Sequence, residues 1–345
     1  MCNIMDNSKH VLFSQPVSFP RNFPLPSNFH LVAKEDQLSW NFAKKLPSRV
    51  SDRLVRIYLI YEIFRNRKKI DMVITGRYGE YFALLQGLIP LFKKSHLLLD
   101  IEWYGNRKNK YLNSFKKVIH RIIARGAHKI GVFCEVEGHN YSSCYGIDKN
   151  KFVWIPYCTE LERNNFDVHE DNYVFTGGLQ QRDYETLFHA VKDIPIEVKI
   201  VAPTDKIDKR FIAKNMTLLG TLSSQEYYTA MAQSKLVVLS LEPNLRRSPG
   251  VITYVSAMKL GKAVIVNEIE GSKSYIMNGK TGVLVKPRDP EAMRNAIVTL
   301  LTNDELRKQI AHDAYSYAAE HFSKDRLIND LNKWVQLIAE EAETK

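Results

Sequence analysis

The chain has 345 residues, 45% hydrophobic and 25% charged, which suits two domains of about 150 residues each and excludes disordered and collagen-like classes. The net charge of +11 implies an anionic partner, whether phosphate-bearing substrate, anionic membrane surface or nucleic acid. The cysteines Cys2, Cys134, Cys144 and Cys158 form no CxxC pair, so reduced thiols are expected rather than a disulfide framework or a zinc site.

The first ten residues, MCNIMDNSKH, lack the apolar core of a signal peptide. Apolar, β-branched runs at residues 10–13, 72–75, 97–101, 129–134 and 152–155 read as buried strands. Helix-length stretches at 53–66, 81–92 and 110–125 lie between them. Strands alternating with helices predict parallel βαβ units in a doubly wound α/β sheet. The stretch 81–92 is the longest apolar one, but Gln86 and Pro90 interrupt it, and a spanning helix needs about 20 apolar residues. A soluble, cytoplasmic chain is therefore expected.

Residues 61–130 carry 15 Lys/Arg against 5 Asp/Glu, so nearly all of the net charge sits in one fifth of the chain. A solvated basic face accounts for this as well as a specific partner does. No nucleic-acid module is recognisable, so nucleic acid is not the expected partner. In 110–125, Leu112, Phe115, Val118, Ile119, Ile122 and Ile123 form an apolar stripe that reads as core. Lys116, Lys117, His120, Arg121 and Arg125 lie largely elsewhere, a basic surface suited to an anionic inner leaflet.

Two strand-end loops in this half carry chemistry. Gly76, Arg77 and Tyr78 follow a strand and open a helix, where an acceptor phosphate or hydroxyl could bind, or where the chain simply turns. Asp100 and Glu102 end the next strand, and a carboxylate there could act as general base for an acceptor hydroxyl; capping a turn or pairing with Arg107 and Lys108 is the alternative.

The pattern restarts after a polar segment, 157–171, expected as a linker between domains 1–157 and 172–322. Strands are predicted at 173–176, 197–201, 216–219, 236–241, 263–266 and 282–285, with helices at 183–192, 224–233, 253–260, 290–301 and 304–322. Ligands of such sheets bind beyond the carboxyl ends of the strands, so tandem domains predict a cleft with loops from both. Gly177-Gly178 followed by Arg182 lets backbone N–H groups and a guanidinium approach an anion, although Gly-Gly after a strand is often only a turn. Glu242, Arg246, Arg247, Ser248, Gly250 and Thr253 surround another helix start, with Ser248 the expected N-cap: a diphosphate cradle, or a capped helix with exposed arginines.

The runs AMKLGKAVI and GSKSYIMNGKTGVLVKPRD, with FTGGLQQRDYETLFHAV and GTLSSQEYYTAMAQSKLVVLSL before them, resemble the nucleotide-sugar domain of GT-B glycosyltransferases, the family 4 group in particular. The resemblance spans residues 170–325. It implies two Rossmann-like domains facing a cleft, with the C-terminal segment 323–345 packing back toward the first. Gly177, Gly178 and Arg182 would face the donor diphosphate, Thr221 and Leu222 the nucleobase, and Ser248, Gly250, Val251 and Thr253 the phosphate or sugar. It also implies a UDP- or GDP-sugar as substrate with no further cofactor, a glycan or lipid-linked glycan as acceptor, retention, and leaving-group stabilisation without metal. Asp100-Ile101-Glu102 mimics the metal-binding motif of the other glycosyltransferase fold, but the tandem pattern contradicts that fold.

Two departures stand out. Ser248 and Ser256 occupy positions where the family often has glutamates, and the segment from Gln15 to Arg21 has no glycine where many relatives have Gly-Gly. A non-catalytic partner subunit and a nucleotide-sugar epimerase therefore stay open.

Overall fold

The computed structural model describes residues 10–15, 26–34, 48–89, 93–101, 103, 110–243 and 248–343. The chain forms two compact units, one comprising Met1–Pro156 and Lys324–Lys345, the other Tyr157–Ser323.

In unit 1, β1 (Val11–Gln15), β2 (Phe29–Lys34), β3 (Met72–Thr75), β4 (Ser95–Leu98), β5 (Lys129–Val132) and β6 (Phe152–Trp154) make one parallel sheet in the order β2-β1-β3-β4-β5-β6. Such strands are covered on both faces, which is why β1 and β3 are buried throughout. Helices α1 (Ser48–Asn66), α2 (Glu80–Leu88), α3 (Lys110–Gly126) and α4 (Glu135–Tyr145) supply the cover. Val55, Leu59, Ile63 and Phe82 pack with Leu12 and Val73, while Ile123, Tyr141 and Tyr145 pack with Leu98 and Ile130.

Helices α2 and α3 touch backbone to backbone. A Cβ on Gly87 would lie 2.0 Å from Ile122 O, and one on Gly126 would lie 1.8 Å from Ala83 O. Along α3 the apolar stripe is not all core: Ile123 is buried, but Phe115 and Val118 are 64% and 53% exposed. The narrow contact with α2 covers only one side of the stripe.

Strand β2 and helix α4 have no counterpart among the predicted elements. β2 is the edge strand of the sheet, and α4 (EVEGHNYSSCY) carries no sustained apolar period.

Two histidines are taken out of water in this unit. His96 is fully buried, its Nε2 2.8 Å from Thr75 Oγ1, and burial with the nearby His128 lowers its pKa to about 3. His120 stacks on Trp103 and Tyr145, both at 4.4 Å between ring centroids, and burial with the Lys116 charge lowers it to about 4. Both stay neutral in the folded chain while unfolded histidine titrates near 6.5, so the unfolded state binds more protons between these values. Their contribution is complete above pH 6.5 and is lost as pH falls to about 4 for His120 and about 3 for His96. The melting temperature is thus expected to fall between those pH values, and less steeply in His120→Phe; identical pH profiles would remove His120 from this account.

In unit 2, β7 (Tyr173–Gly177), β8 (Glu197–Val201), β9 (Met216–Leu218), β10 (Leu236–Leu239), β11 (Val264–Asn267) and β12 (Val283–Val285) are all parallel, ordered β12-β11-β10-β7-β8-β9. Helices α5 (Tyr184–Val191), α6 (Ser224–Ala232), α7 (Val251–Lys259), α8 (Glu270–Lys273), α9 (Pro290–Thr302) and α10 (Asp304–His321) follow the strands in turn. Strand order reverses between β7 and β10.

The segment expected as a linker packs against unit 2. Cys158 and Leu161 are buried, Lys262 Nζ donates to His169 O at 2.6 Å, and Arg307 holds Glu170 through two bonds of 3.2 and 2.7 Å. Helix α11 (Lys324–Glu343) belongs to unit 1, where Lys129 Nζ meets Glu341 Oε1 at 2.8 Å. No described helix is long and apolar enough to cross a membrane.

Candidate functional site

Strands β7 and β10 pair through Val174–Phe175 and Leu236–Val237 at the reversal of strand order, and parallel α/β sheets bind ligands beyond the carboxyl ends of such strands. After β7 the chain turns through Gly178, at φ +102°, a conformation open to glycine. A Cβ there would also sit 2.5 Å from Arg182 Nη2, so the glycine leaves room for the guanidinium. The loops are laced together: Asp183 N–H donates to Ser240 O and Glu242 N–H to Gln181 O, both at 3.1 Å. Asn267 Oδ1 accepts Leu241 N–H at 2.6 Å while its Nδ2 donates to Lys286 O at 3.2 Å.

Arg182 lies at the centre. Its Nε donates to Gly177 O at 3.0 Å, Nη1 to Gln180 O at 3.0 Å, and Nη2 to Thr253 Oγ1 at 3.4 Å. Tyr227 covers Gly177 and places its hydroxyl 3.2 Å from Thr253 Oγ1; the Tyr184 hydroxyl donates to Gly178 O. Burial lowers the Arg182 pKa and raises those of Tyr184 and Tyr227. The guanidinium is therefore a partly desolvated cation held by neutral acceptors alone, with no carboxylate partner among the described residues. Removing a cation from water without a counter-charge is costly, so the site is electrostatically suited to an anion.

Gly250, at φ +77°, is the residue that caps α7. Ser248 is not the N-cap that its residue type suggests: it lies two positions too early, and its buried Oγ has no hydrogen-bond partner among the described residues. Ser240 Oγ and Thr176 Oγ1, at the ends of β10 and β7, are likewise buried and without a partner among the described residues. Ser256 Oγ is in the same state inside α7. Val251 points into the core, so only its backbone faces the loop region. Glu242 is paired with Arg288 at 3.1 Å. Thr221 is exposed and Leu222 half-buried in the loop after β9, just before the Ser223–Glu226 capping box of α6. Arg246 and Arg247 lie outside the described residues.

Thr176, Tyr184, Tyr227, Ser240 and Asn267 escape the sequence reading. Tyr184 and Tyr227 stand on helices at ordinary core spacing, and Asn267 ends a strand; their roles come from contacts remote in sequence.

In unit 1 the candidates lie at the carboxyl edge of the sheet. Gly76 caps the short 3₁₀ turn Arg77–Gly79. Tyr78 is buried and its hydroxyl donates to Asp52 at 2.9 Å, which leaves Arg77 as the half-exposed side chain of the three. Asp100 follows β4 at φ +54°, a conformation aspartate tolerates better than most residues. Trp103 anchors the chain just beyond it, its Nε1 donating to Glu80 at 3.0 Å. Glu102, Arg107, Lys108 and the glycine-free loop ending at Arg21 lie outside the described residues. Among the described residues no three His, Cys, Asp or Glu side chains gather to hold a metal ion.

Residues 203–317 match the family model for glycosyl transferases group 1. An uncharacterised glycosyltransferase of Methanocaldococcus jannaschii is 25% identical over 167 residues, 46% of each chain. The chain thus matches about half the length of that relative. By fold it is similar to HepE of Anabaena, solved with UDP, at a TM-score of 0.68, 12% identity and coverage of 95% of this chain and 99% of that one. Sucrose-phosphate synthase from Thermosynechococcus elongatus gives a TM-score of 0.65 at 14% identity, covering 95% and 89%.

Proposed function

We propose that this chain, whose fold is GT-B and whose second unit belongs to group 1 of the glycosyl transferases, moves a sugar from a UDP- or GDP-sugar to a hydroxyl of a glycan or lipid-linked glycan. The observation that carries this reading is Arg182, a partly buried cation between Gly178 and Gly250 without a counter-charge among the described residues. The donor diphosphate supplies the missing negative charge. Ser240, Ser248 and Thr176 are buried hydroxyls free to donate to its oxygens or to the sugar.

In the proposed reaction the acceptor oxygen bonds to the anomeric carbon as the bond to the diphosphate oxygen breaks, and the electron pair leaves with the diphosphate. Arg182 and the α7 N-terminus stabilise that developing charge without a metal. The reaction proceeds with retention, the departing phosphate oxygen accepting the acceptor proton. On unit 1, Arg77 and Asp100 hold the acceptor. Ser248 and Ser256 in place of carboxylates favour one second reading, a partner subunit that binds a nucleotide sugar without turning it over.

Calorimetric titration with UDP-, GDP-, ADP- and CMP-sugars tests the reading. One selective isotherm is expected, unaffected by EDTA. Heat from none of them, with folded protein, would refute the donor assignment. Binding without transfer to any glycan would favour the partner subunit, and conversion of the bound sugar without an acceptor would indicate an epimerase.

A further inference from the structure

A pocket of about 380 Å³ opens in unit 1, lined by Ile63 and Phe64 of α1, Phe82 of α2, and Arg67, Lys68, Lys93 and Lys94. Arg67 and Lys68 precede β3, and Lys93 and Lys94 precede β4, so the pocket lies at the amino edge of the sheet, opposite Gly76 and Asp100. Its floor is apolar, with Ile63 and Phe82 buried, and its lining holds four cations and no carboxylate. The carboxylates closest in sequence are engaged elsewhere: Glu62 with Arg65 at 3.5 Å and Asn66 at 3.2 Å, Asp71 with the His10 amide at 2.9 Å.

Two cations are held at the rim by backbone carbonyls. Arg67 Nη1 donates to Phe64 O at 3.1 Å, and Lys94 Nζ donates to Ile70 O at 2.8 Å. Each keeps further N–H donors for a ligand. The C-terminal dipole of α1 accounts for cations at 67 and 68 but not for Lys93 and Lys94, which arrive from another segment.

Exposed apolar side chains lie on α2, which lines the pocket through Phe82, and on its neighbour α3. Helix α2 ends at Leu88, with Ile89 as its C-cap, and these two are 59% and 40% exposed. Exposed Val118 lies one turn before Ile122, where α3 meets Gly87. Exposed apolar residues on α2 and α3, together with a cation-rimmed pocket, match a bilayer surface: the former enter the acyl boundary, and the cations bind phosphate oxygens. We propose that this pocket binds the phosphate headgroup of an anionic phospholipid and holds unit 1 on a bilayer surface.

This inference is independent of the donor chemistry, and its test is separate. The full chain is floated with phosphatidylcholine vesicles, and with vesicles in which roughly 30% of the lipid is phosphatidylglycerol. Recovery is expected only with the second, diminishing as salt is raised. The triple variant Arg67→Ala, Lys68→Ala, Lys93→Ala changes exposed side chains and is expected to lower partitioning by about tenfold or more, with donor titration unchanged. Leu88→Ser with Ile89→Ser is expected to lower it too. Equal recovery with both vesicle types, or a triple variant that floats like the native chain, overturns the proposal. Release of the native chain by millimolar inorganic phosphate at constant ionic strength also overturns it, by assigning the pocket to free phosphate.

Discussion

Arg182→Ala is expected to weaken binding of the nucleotide-sugar donor by roughly 10- to 150-fold, the value of about 1.5–3 kcal/mol for hydrogen bonds to a charged group. The same position is expected to contribute little to the stability of the ligand-free chain. The guanidinium forms no ion pair to lose, and burial already disfavours its charge. Arg182→Met, which fills the space with apolar atoms, should therefore melt within about 2 °C of the native chain or above it, because an uncompensated cation has been removed. The donor-induced rise in melting temperature should vanish in both variants. A substitution that leaves the donor isotherm intact would take Arg182 out of the site. One that lowers the ligand-free melting temperature by about 5 °C or more would make its role structural.

Arg307→Ala is expected to have the largest effect on stability. This side chain, 1% exposed on α10, donates two bonds to Glu170, one of 2.6 Å to Asp304 and one of 2.8 Å to Leu300 O. Removing Arg307 strips Glu170 and Asp304 of a charged partner, but these carboxylates keep access to water at 32% and 58% exposure, so the cost is about 1–3 kcal/mol. For a unit of this size the melting temperature should fall by roughly 2–12 °C. The segment carrying Glu170 and His169 should become the first site cut in limited proteolysis. Arg307→Lys keeps the charge but not the two-pronged geometry and should recover only part of the loss. A loss below about 1 kcal/mol would mean that the segment is held instead by Leu161 and by the Lys262 bonds to His169 O and Ser234 O.

Donor-side loops and strands were legible for local reasons. Runs such as Leu236–Leu239 and Val264–Asn267 are continuous and apolar because a parallel strand is buried on both faces. The glycines and Arg182 are visible because few residue types tolerate that backbone or supply that fork. Helix α4 and strand β2 were not legible, since the first lacks an apolar period and the second lies at the edge of the sheet. Phe115 and Val118 carried the period of a core stripe, yet the close glycine contact between α2 and α3 leaves them outside.

By itself, the sequence determined the alternation of strand and helix, the doubly wound character of both halves, and the loops where an anion could bind. These follow from periodicity and from residues with special backbone freedom, which act over a few positions. Only the tertiary structure decided which polar groups are satisfied. Ser248 does not cap α7, Tyr78 donates its hydroxyl to Asp52, and residues 157–171 are held by Lys262 and Arg307. Hydrogen bonding and desolvation depend on neighbours in space, and for Arg182 it is their neutrality that leaves a positive charge unanswered.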